Sequence, residues 1–204
     1  MVLKKTIFES FAQEHHRGPD NSIIRTVTDN VLLGFHRLSI MDTSNKGDQP
    51  FVSEHSPKPI YLICNGEIYN HKVLRSELDL IAQRNWLGHS DTETLLVAID
   101  HWGLEKTLKK AKGMFAIALW DKRNKNLSLA CDRIGEKPLY YGWVNDQFVF
   151  ASELKSIKKF PEFKNLIDRN SLALFLRFNS IPAPHSIYQD IYKLEPGQIV
   201  QLHS

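Results

Sequence analysis

The chain has 204 residues, 42% of them hydrophobic and 24% charged, with a net charge of +3. That length suits one large domain or two small ones and buries most of the unfolded surface, and the composition excludes a disordered chain. The one basic cluster, Lys106, Lys109, Lys110 and Lys112, falls at helical spacing; it reads as a solvated helix face and excludes a nucleic-acid surface, which would interleave aromatics and more arginine.

The longest apolar run, Met114 to Trp120, is too short to span a bilayer, so no membrane contact is expected. The N-terminus lacks the apolar core of a secretory signal. Cys64 and Cys131 sit in strand-like apolar runs and cannot form a disulfide framework; they read as reduced core residues of a cytoplasmic protein. Nine histidines without metal-ligand spacing predict no metal site.

In chain order, Leu3, Ile7, Phe8 and Phe11 predict an amphipathic helix from Val2 to about Glu14. His16 to Asn21 is turn chemistry, with Gly18-Pro19 ending the helix. Val27 to Ile40 reads as strand, Gly34 marking a bulge or close approach. Arg37, among apolar neighbours, must be paired or sit at the edge of a site. A polar loop covers Thr43 to Gln49, and Pro50 to Pro59 carries three prolines and no periodicity.

The apolar run Ile60 to Cys64 then stops at Asn65-Gly66, with Glu67 next. Asn-Gly between strand-like runs is a hairpin turn. It is equally a pair of donors, a side-chain amide and a backbone N–H, able to converge on one oxygen as an oxyanion hole. A helix on Val73, Leu74, Leu78 and Leu80 follows. Ser90-Asp91-Thr92-Glu93 fits a capping box before the apolar run Leu95 to Ile99. Asp91 is then either a first-turn acid favoured by the helix dipole or a free site carboxylate.

A short helix, about Leu104 to Ala111, ends at Gly113. Four runs, Met114 to Trp120, Leu127 to Cys131, Leu139 to Trp143 and Phe148 to Ala151, predict an antiparallel meander. Glu153 to Phe160 and Ser171 to Phe178 read as helices, the latter capped by Asp168 or Asn170. The tail reads as loop and hairpin, turning at Pro196-Gly197. One α+β domain accounts for the whole.

Six stretches in order, His16-Arg17-Gly18-Pro19-Asp20, His36 to Ile40, Asn65 to Asn70, Ser90 to Glu93, Gly113 to Asp121 and Asp132 to Tyr141, resemble one family. It is the glutaminase domain of glutamine-dependent asparagine synthetases, a class II amidotransferase. The resemblance implies an N-terminal-nucleophile hydrolase fold, an αββα sandwich of two mainly antiparallel sheets, and free glutamine as ligand. It implies that Arg37 clamps the α-carboxylate, that Leu38, Ser39, Ile40 and Met41 line the amino-acid site, that Glu67 and Asp91 receive the α-ammonium, and that Asn65 with Gly66 holds the oxyanion. It implies a fused or associated synthetase domain with ATP and magnesium, aspartate as acceptor, and a homodimer; the glutaminase domain itself takes no cofactor.

In this family the nucleophile is a cysteine exposed as the first residue of the mature chain, where Met1-Val2-Leu3 stands here. The expectation is a domain over residues 1–204 without its first strand and nucleophile, and without the C-terminal synthetase domain. Cys64 does not replace it, because strand alternation turns it away from Asn65 and it has no free amine beside it. Such a chain should bind glutamine poorly, hydrolyse it hardly at all, and show a sheet edge or gap beside Val31 to Ile40 and Ile60 to Cys64. The rival readings are a binding or scaffold module without a nucleophile, and an amidotransferase for another acceptor such as a sugar acid.

Overall fold

The computed structural model describes residues 2–53 and 58–203, with side chains from Ile7 onward. Helix α1 (Val2–Ala12) opens it. Phe11 stacks on His36 with ring centroids 3.7 Å apart, but Phe8 is exposed and the side chain of Leu3 lies outside the described residues. The expected strand from Val27 to Ile40 is instead the second half of a hairpin: β1 (Asn21–Thr28) pairs with β2 (Val31–Arg37) across Asp29-Asn30. β1 escaped notice because only Val27 in it is buried, so its apolar alternation is weak.

β3 (Phe51–Val52) lies inside the proline-rich stretch and pairs with β4 (Ile60–Ile68). β4 runs through Asn65-Gly66 without turning, so the hairpin reading fails. Its physical reason is close approach: Gly66 faces Phe115 of β5 (Gly113–Asp121), and a Cβ there would meet the Met114 carbonyl oxygen at 2.0 Å. Helices α2 (His71–Ile81), α3 (Asp91–Trp102) and α4 (Leu104–Lys110) follow β4 in the chain. In α2 only Leu74 and Leu78 of the expected apolar set are buried; Val73 and Leu80 face solvent.

The expected meander splits between two layers. β5 and β6 (Asn126–Cys131) join the five-stranded antiparallel sheet β10-β6-β5-β4-β3, whereas β7 (Tyr140–Val144) and β8 (Gln147–Ala151) join the sheet β8-β7-β9. The chain changes layer around the Asp132 carboxylate, which accepts N–H groups from Phe115, Ile134, Gly135, Glu136 and Lys137. The tail divides likewise, β9 (Ile191–Lys193) to one sheet and β10 (Ile199–His203) to the other, so Pro196-Gly197 links layers and makes no hairpin. Between β8 and β9, α5 (Leu154–Ile157) is shorter than expected, and α6 (Arg169–Phe178) is capped by Asp168 through Ser171 N–H.

Alternation along β4 and β5 builds the layers. Ile60, Leu62, Cys64, Ile117 and Leu119 face outward onto Leu74, Leu95, Leu96 and Ile99 of α2 and α3. Ile63, Ala116, Ala118 and Trp120 face inward toward Leu33, Phe35, Leu139 and Phe148 of the opposite layer. On the far side of that layer α5 packs on β7 and β8, and α1 docks on α5 with Ser10 Oγ donating to the Ser156 carbonyl at 2.6 Å. This is the αββα order, two mainly antiparallel sheets between helices.

Between the layers lies a cavity of about 1170 Å³. Residues 31–36 of β2 and 147–151 of β8 line it consecutively, and an unbroken run from a strand presents its edge, since a face would show alternate residues. Neither edge carries a strand partner among the described residues. The expected gap therefore lies between β2 and β8. Ile63 faces into this cavity, but the backbone of β4 from Ile60 to Cys64 is hydrogen-bonded on both edges and leaves no gap there.

Candidate functional site

A second, smaller cavity of about 220 Å³ collects the polar groups, room for a ligand of amino-acid size. Residues 35–42 from the end of β2, Gln49, the Cys64 to Glu67 stretch of β4, Ser90 to Thr92 at the start of α3, Met114 and Lys137 form its walls. All nine sequence-predicted residues, Arg37, Leu38, Ser39, Ile40, Met41, Asn65, Gly66, Glu67 and Asp91, are among them.

The backbone of β4 shows why two donors are available here. Phe115 N–H donates to Asp132 and its carbonyl accepts from Asp132 N–H, so the Gly66–Phe115 pair is a non-hydrogen-bonded one and Gly66 N–H points to the opposite edge. Along that edge Cys64 N–H donates to Gln49 Oε1 at 2.7 Å and Ile68 N–H donates to Asp91 Oδ2 at 2.7 Å. Gly66 N–H, between them, meets no partner among the described residues. The Asn65 carboxamide adds the second donor: its Nδ2 is buried and makes no hydrogen bond. Buried donors are nearly always paired, so an orphan beside an open backbone N–H marks a place built for an acceptor.

Asp91 is 5% exposed, and besides Ile68 its carboxylate accepts Thr92 N–H at 2.9 Å. Ser90 caps α3 through Thr92 N–H. The other half of the expected capping box is different: Glu93 turns to Leu87 N–H, Gly88 N–H and Arg75, pinning the loop that precedes the helix. Glu67, on the inward face of β4, has no side-chain partner among the described residues.

Arg37 is 7% exposed and both paired and at the site edge. Its guanidinium, however, is engaged by the loop that follows: Nη1 donates to the Ser44 carbonyl and to Asp48 at 2.6 Å, and Nη2 to the Asp42 carbonyl. Gly47 leaves room for the guanidinium, since a Cβ there would press on Arg37 Nη2 and oblige it to shift. The fork expected to face a ligand is thus held by Asp48. The hydroxyl and N–H of Ser44, the N–H of His89 and the charge of Arg37 hold the Asp42 carboxyl down at about 2. Leu38, Ile40 and Met41 form an exposed apolar rim, and Ser39 N–H is tied to Asp20 at 2.7 Å.

Neither cysteine is poised as a nucleophile. Cys64 touches the site wall, yet it is 2% exposed and its side chain packs among Ile60, Leu62 and Leu95; burial, with the charge of Asp91, pushes its thiol far up. Cys131 Sγ faces the Glu195 carbonyl at 2.9 Å, and burial raises its thiol too.

Gln49 and Lys137 went unnoticed in the sequence. Lys137 was legible in principle, because Asp132 three residues before a glycine signals a loop folded on its own carboxylate. Gln49 carried no local signal, since its bonds are made across 15 residues of chain.

Two unpaired donors, two carboxylates and an arginine thus line one cavity at the edge of an αββα sandwich. The chain belongs to the glutamine amidotransferase domain family, whose profile, described as "Glutamine amidotransferase domain", matches residues 2–204. It is 33% identical to a putative asparagine synthetase (glutamine-hydrolyzing) 2 of Methanocaldococcus jannaschii over 97% of this chain and 41% of that protein. It is 39% identical to asparagine synthetase (glutamine-hydrolyzing) 1 of Bacillus subtilis over 89% of this chain and 28% of that one. The chain thus spans well under half the length of these relatives. Among solved structures, glutamine phosphoribosylpyrophosphate amidotransferase from B. subtilis shares the fold, with a TM-score of 0.61 and 20% identity over 84% of this chain and 32% of that chain. The N-terminal-nucleophile type of fold implied by the resemblance is borne out.

Proposed function

We propose that this chain is the glutamine-binding part of a glutamine-hydrolysing asparagine synthetase-type enzyme, and that in the longer protein it delivers ammonia to an ATP-activated carboxylate, aspartate. The observation that carries this is the orphan Asn65 Nδ2 beside the open Gly66 N–H. In the ground state these donors bind the side-chain carbonyl of glutamine; when a nucleophile adds to that carbon the oxygen becomes an anion, and the same fixed donors bind it more strongly. Asp91 and Glu67 receive the α-ammonium. Arg37 takes the α-carboxylate in place of Asp48, a planar guanidinium making two charge-assisted bonds.

The nucleophile comes from outside these 204 residues, because both cysteines are buried with raised thiols. ATP and magnesium belong to a fused or associated synthetase domain; the carboxylates of Glu67 and Asp91 would repel a triphosphate here. The cytoplasm and a homodimer are part of the same reading. No helix among the described residues is long and apolar enough to cross a membrane.

Titration of the ¹⁵N-labelled chain with L-glutamine tests the site. Saturable shifts of the Asn65 side-chain amide and Gly66 N–H at millimolar concentration are expected, lost in Asn65→Ala. Ammonia release should stay at background. No response to glutamine at any concentration, or an equal response to an amino acid without the side-chain carbonyl, would overturn the site assignment; release at an enzymatic rate would overturn the statement about the nucleophile.

A further inference from the structure

β3 ends its ladder on β4 abruptly. Phe51 faces Leu62 and Val52 faces Tyr61, and extending that register two residues back along the chain puts Gln49 opposite Cys64. The residue between, Pro50, has no N–H and cannot donate to a ladder. Yet the Cys64 peptide is fully bonded on this edge. Gln49 Oε1 accepts Cys64 N–H at 2.7 Å and Gln49 Nε2 donates to the Cys64 carbonyl at 3.1 Å. The side-chain carboxamide is a copy of a peptide group, and it completes the hydrogen-bonded pair that the backbone at this register does not.

Its position on the edge gives this pair a consequence for the site. The N–H groups of Cys64, Gly66 and Ile68 share one edge of β4 at two-residue spacing. Gln49 closes the first, Asp91 closes the third, and the middle one is open. The two bracketing side chains come from separate segments of chain and are both buried, Gln49 8% and Asp91 5% exposed. On the other edge β4 is paired with β5 along its whole length, and just beyond the two strands Tyr69 N–H donates to the Lys112 carbonyl at 2.7 Å.

We infer that Gln49 is a positioning residue of the oxyanion corner: its carboxamide clamps Cys64 from the open edge and so fixes the direction of the Asn65 carboxamide and of Gly66 N–H. It lines the cavity, but the oxygen and the nitrogen of its carboxamide are both engaged by the Cys64 peptide, so it acts through that peptide. The inference rests on the glutamine-site reading, and its test separates the two.

Three versions of the 204-residue chain decide it: wild type, Gln49→Leu, which removes both bonds, and Gln49→Glu, which keeps the acceptor for Cys64 N–H and loses the donor to its carbonyl. Amide exchange is read residue by residue, and L-glutamine is titrated against the Asn65 and Gly66 signals. In Gln49→Leu, Cys64 N–H should exchange about tenfold faster, the scale of one buried hydrogen bond, while Leu62 and Tyr69 keep their protection. In Gln49→Glu, Cys64 should stay protected. Both variants should weaken the glutamine response of Asn65 and Gly66 several-fold, with the Ile68–Asp91 end unmoved. Equal protection of Cys64 in wild type and Gln49→Leu, or an unaltered glutamine response in a variant whose Cys64 has lost protection, would overturn the inference. A wild-type chain deaf to glutamine sinks the ligand reading alone; the exchange of Cys64 and the orientation of the Asn65 amide, read from its local NOEs, still decide the clamp. Should Gln49→Leu fail to fold, Gln49→Glu decides through the ligand alone: it has lost the bond to the Cys64 carbonyl, and an unaltered response of Asn65 and Gly66 to glutamine there would overturn the inference.

Discussion

The two halves of the site are built on unlike ground. Asn65 and Gly66 stand on β4, a strand paired along its whole length with β5, held on its other edge by the two residues of β3 and by the side chains of Gln49 and Asp91, and packed between two apolar layers. Arg37 to Met41 stand at the end of β2, which has a partner on one side only and turns its other edge to a cavity of about 1170 Å³. The donors for a developing charge are thus held on a strand bonded to β5 along its length and clamped by side chains on its other edge, and the groups that would anchor the amino acid are held by a strand with one partner plus the loop from Asp42 to Asp48. A catalytic corner needs fixed dipoles, whereas an anchoring arginine can exchange one carboxylate for another. The contrast is one of rigidity assigned by sheet pairing.

The sharpest way to break it is to remove apolar volume from each half. Leu62 on β4 is fully buried, and Leu62→Ala should cost about 3–4 kcal/mol in chemical denaturation. Phe35 on β2 is half-buried beside the cavity, and Phe35→Ala should cost about 1–2 kcal/mol. Native-state hydrogen exchange should follow the same order, slowest in β4 and β5 and faster along β2 and β8. Equal costs and equal protection would erase the distinction. Next comes Gly66→Ala, expected to cost about 3 kcal/mol because the added Cβ would lie 2.0 Å from a backbone oxygen that β4–β5 pairing fixes in place. The control is Gly103→Ala at the α3–α4 junction, where nothing lies within 4 Å of the added carbon and only a positive φ of 84° opposes it. About 1 kcal/mol is expected there.

A third, smaller effect comes from Asp132, which joins the layers. Burial pushes its carboxyl up, but the N–H groups of Glu136, Ile134, Lys137 and Phe115 outweigh that and hold it below the ordinary range. A carboxyl depressed in the folded state contributes stability above its unfolded value, and that contribution is lost as pH falls through the folded value. Wild type should therefore lose stability below about pH 4 relative to Asp132→Asn, and at neutral pH the variant should be less stable by about 2 kcal/mol. A difference between the two that stays constant with pH would show the carboxylate to be unimportant.

The sequence made the strong elements legible and missed what depends on distance. β4, β5, α3 and α6 announced themselves through apolar runs and caps, and all nine candidate site residues fell into one cavity. Asn65-Gly66 misled as a turn because local chemistry cannot report that Met114 will press against Gly66. The meander misled for a similar reason: four strands in a row look alike whether they share a sheet or not, and the choice was made by Asp132 gathering five N–H groups. Arg37 was rightly expected to be paired or at a site edge; that Asp48 holds it could not be read from spacing.

That hold on Arg37 sets the smallest expected effect. Asp42 stiffens the loop by accepting the Ser44 hydroxyl at 2.6 Å, Ser44 N–H at 2.9 Å and His89 N–H at 2.9 Å, and its own carbonyl accepts from Arg37. These bonds keep its carboxyl at about 2, so what they contribute is present above the unfolded value near 3.8 and lost as pH falls between the two. The group is solvent-facing and screened, so the change in global stability for Asp42→Asn should stay under about 1 kcal/mol. The loop should respond more than the fold does. In Asp42→Asn at neutral pH, and in wild type near pH 2, the amides of Ser44 and His89 should lose protection while those of Cys64 and Ile68 keep theirs. If instead the β4 amides loosen together with the loop, the anchoring half and the donor half are one cooperative unit, and the assignment of rigidity by sheet pairing fails.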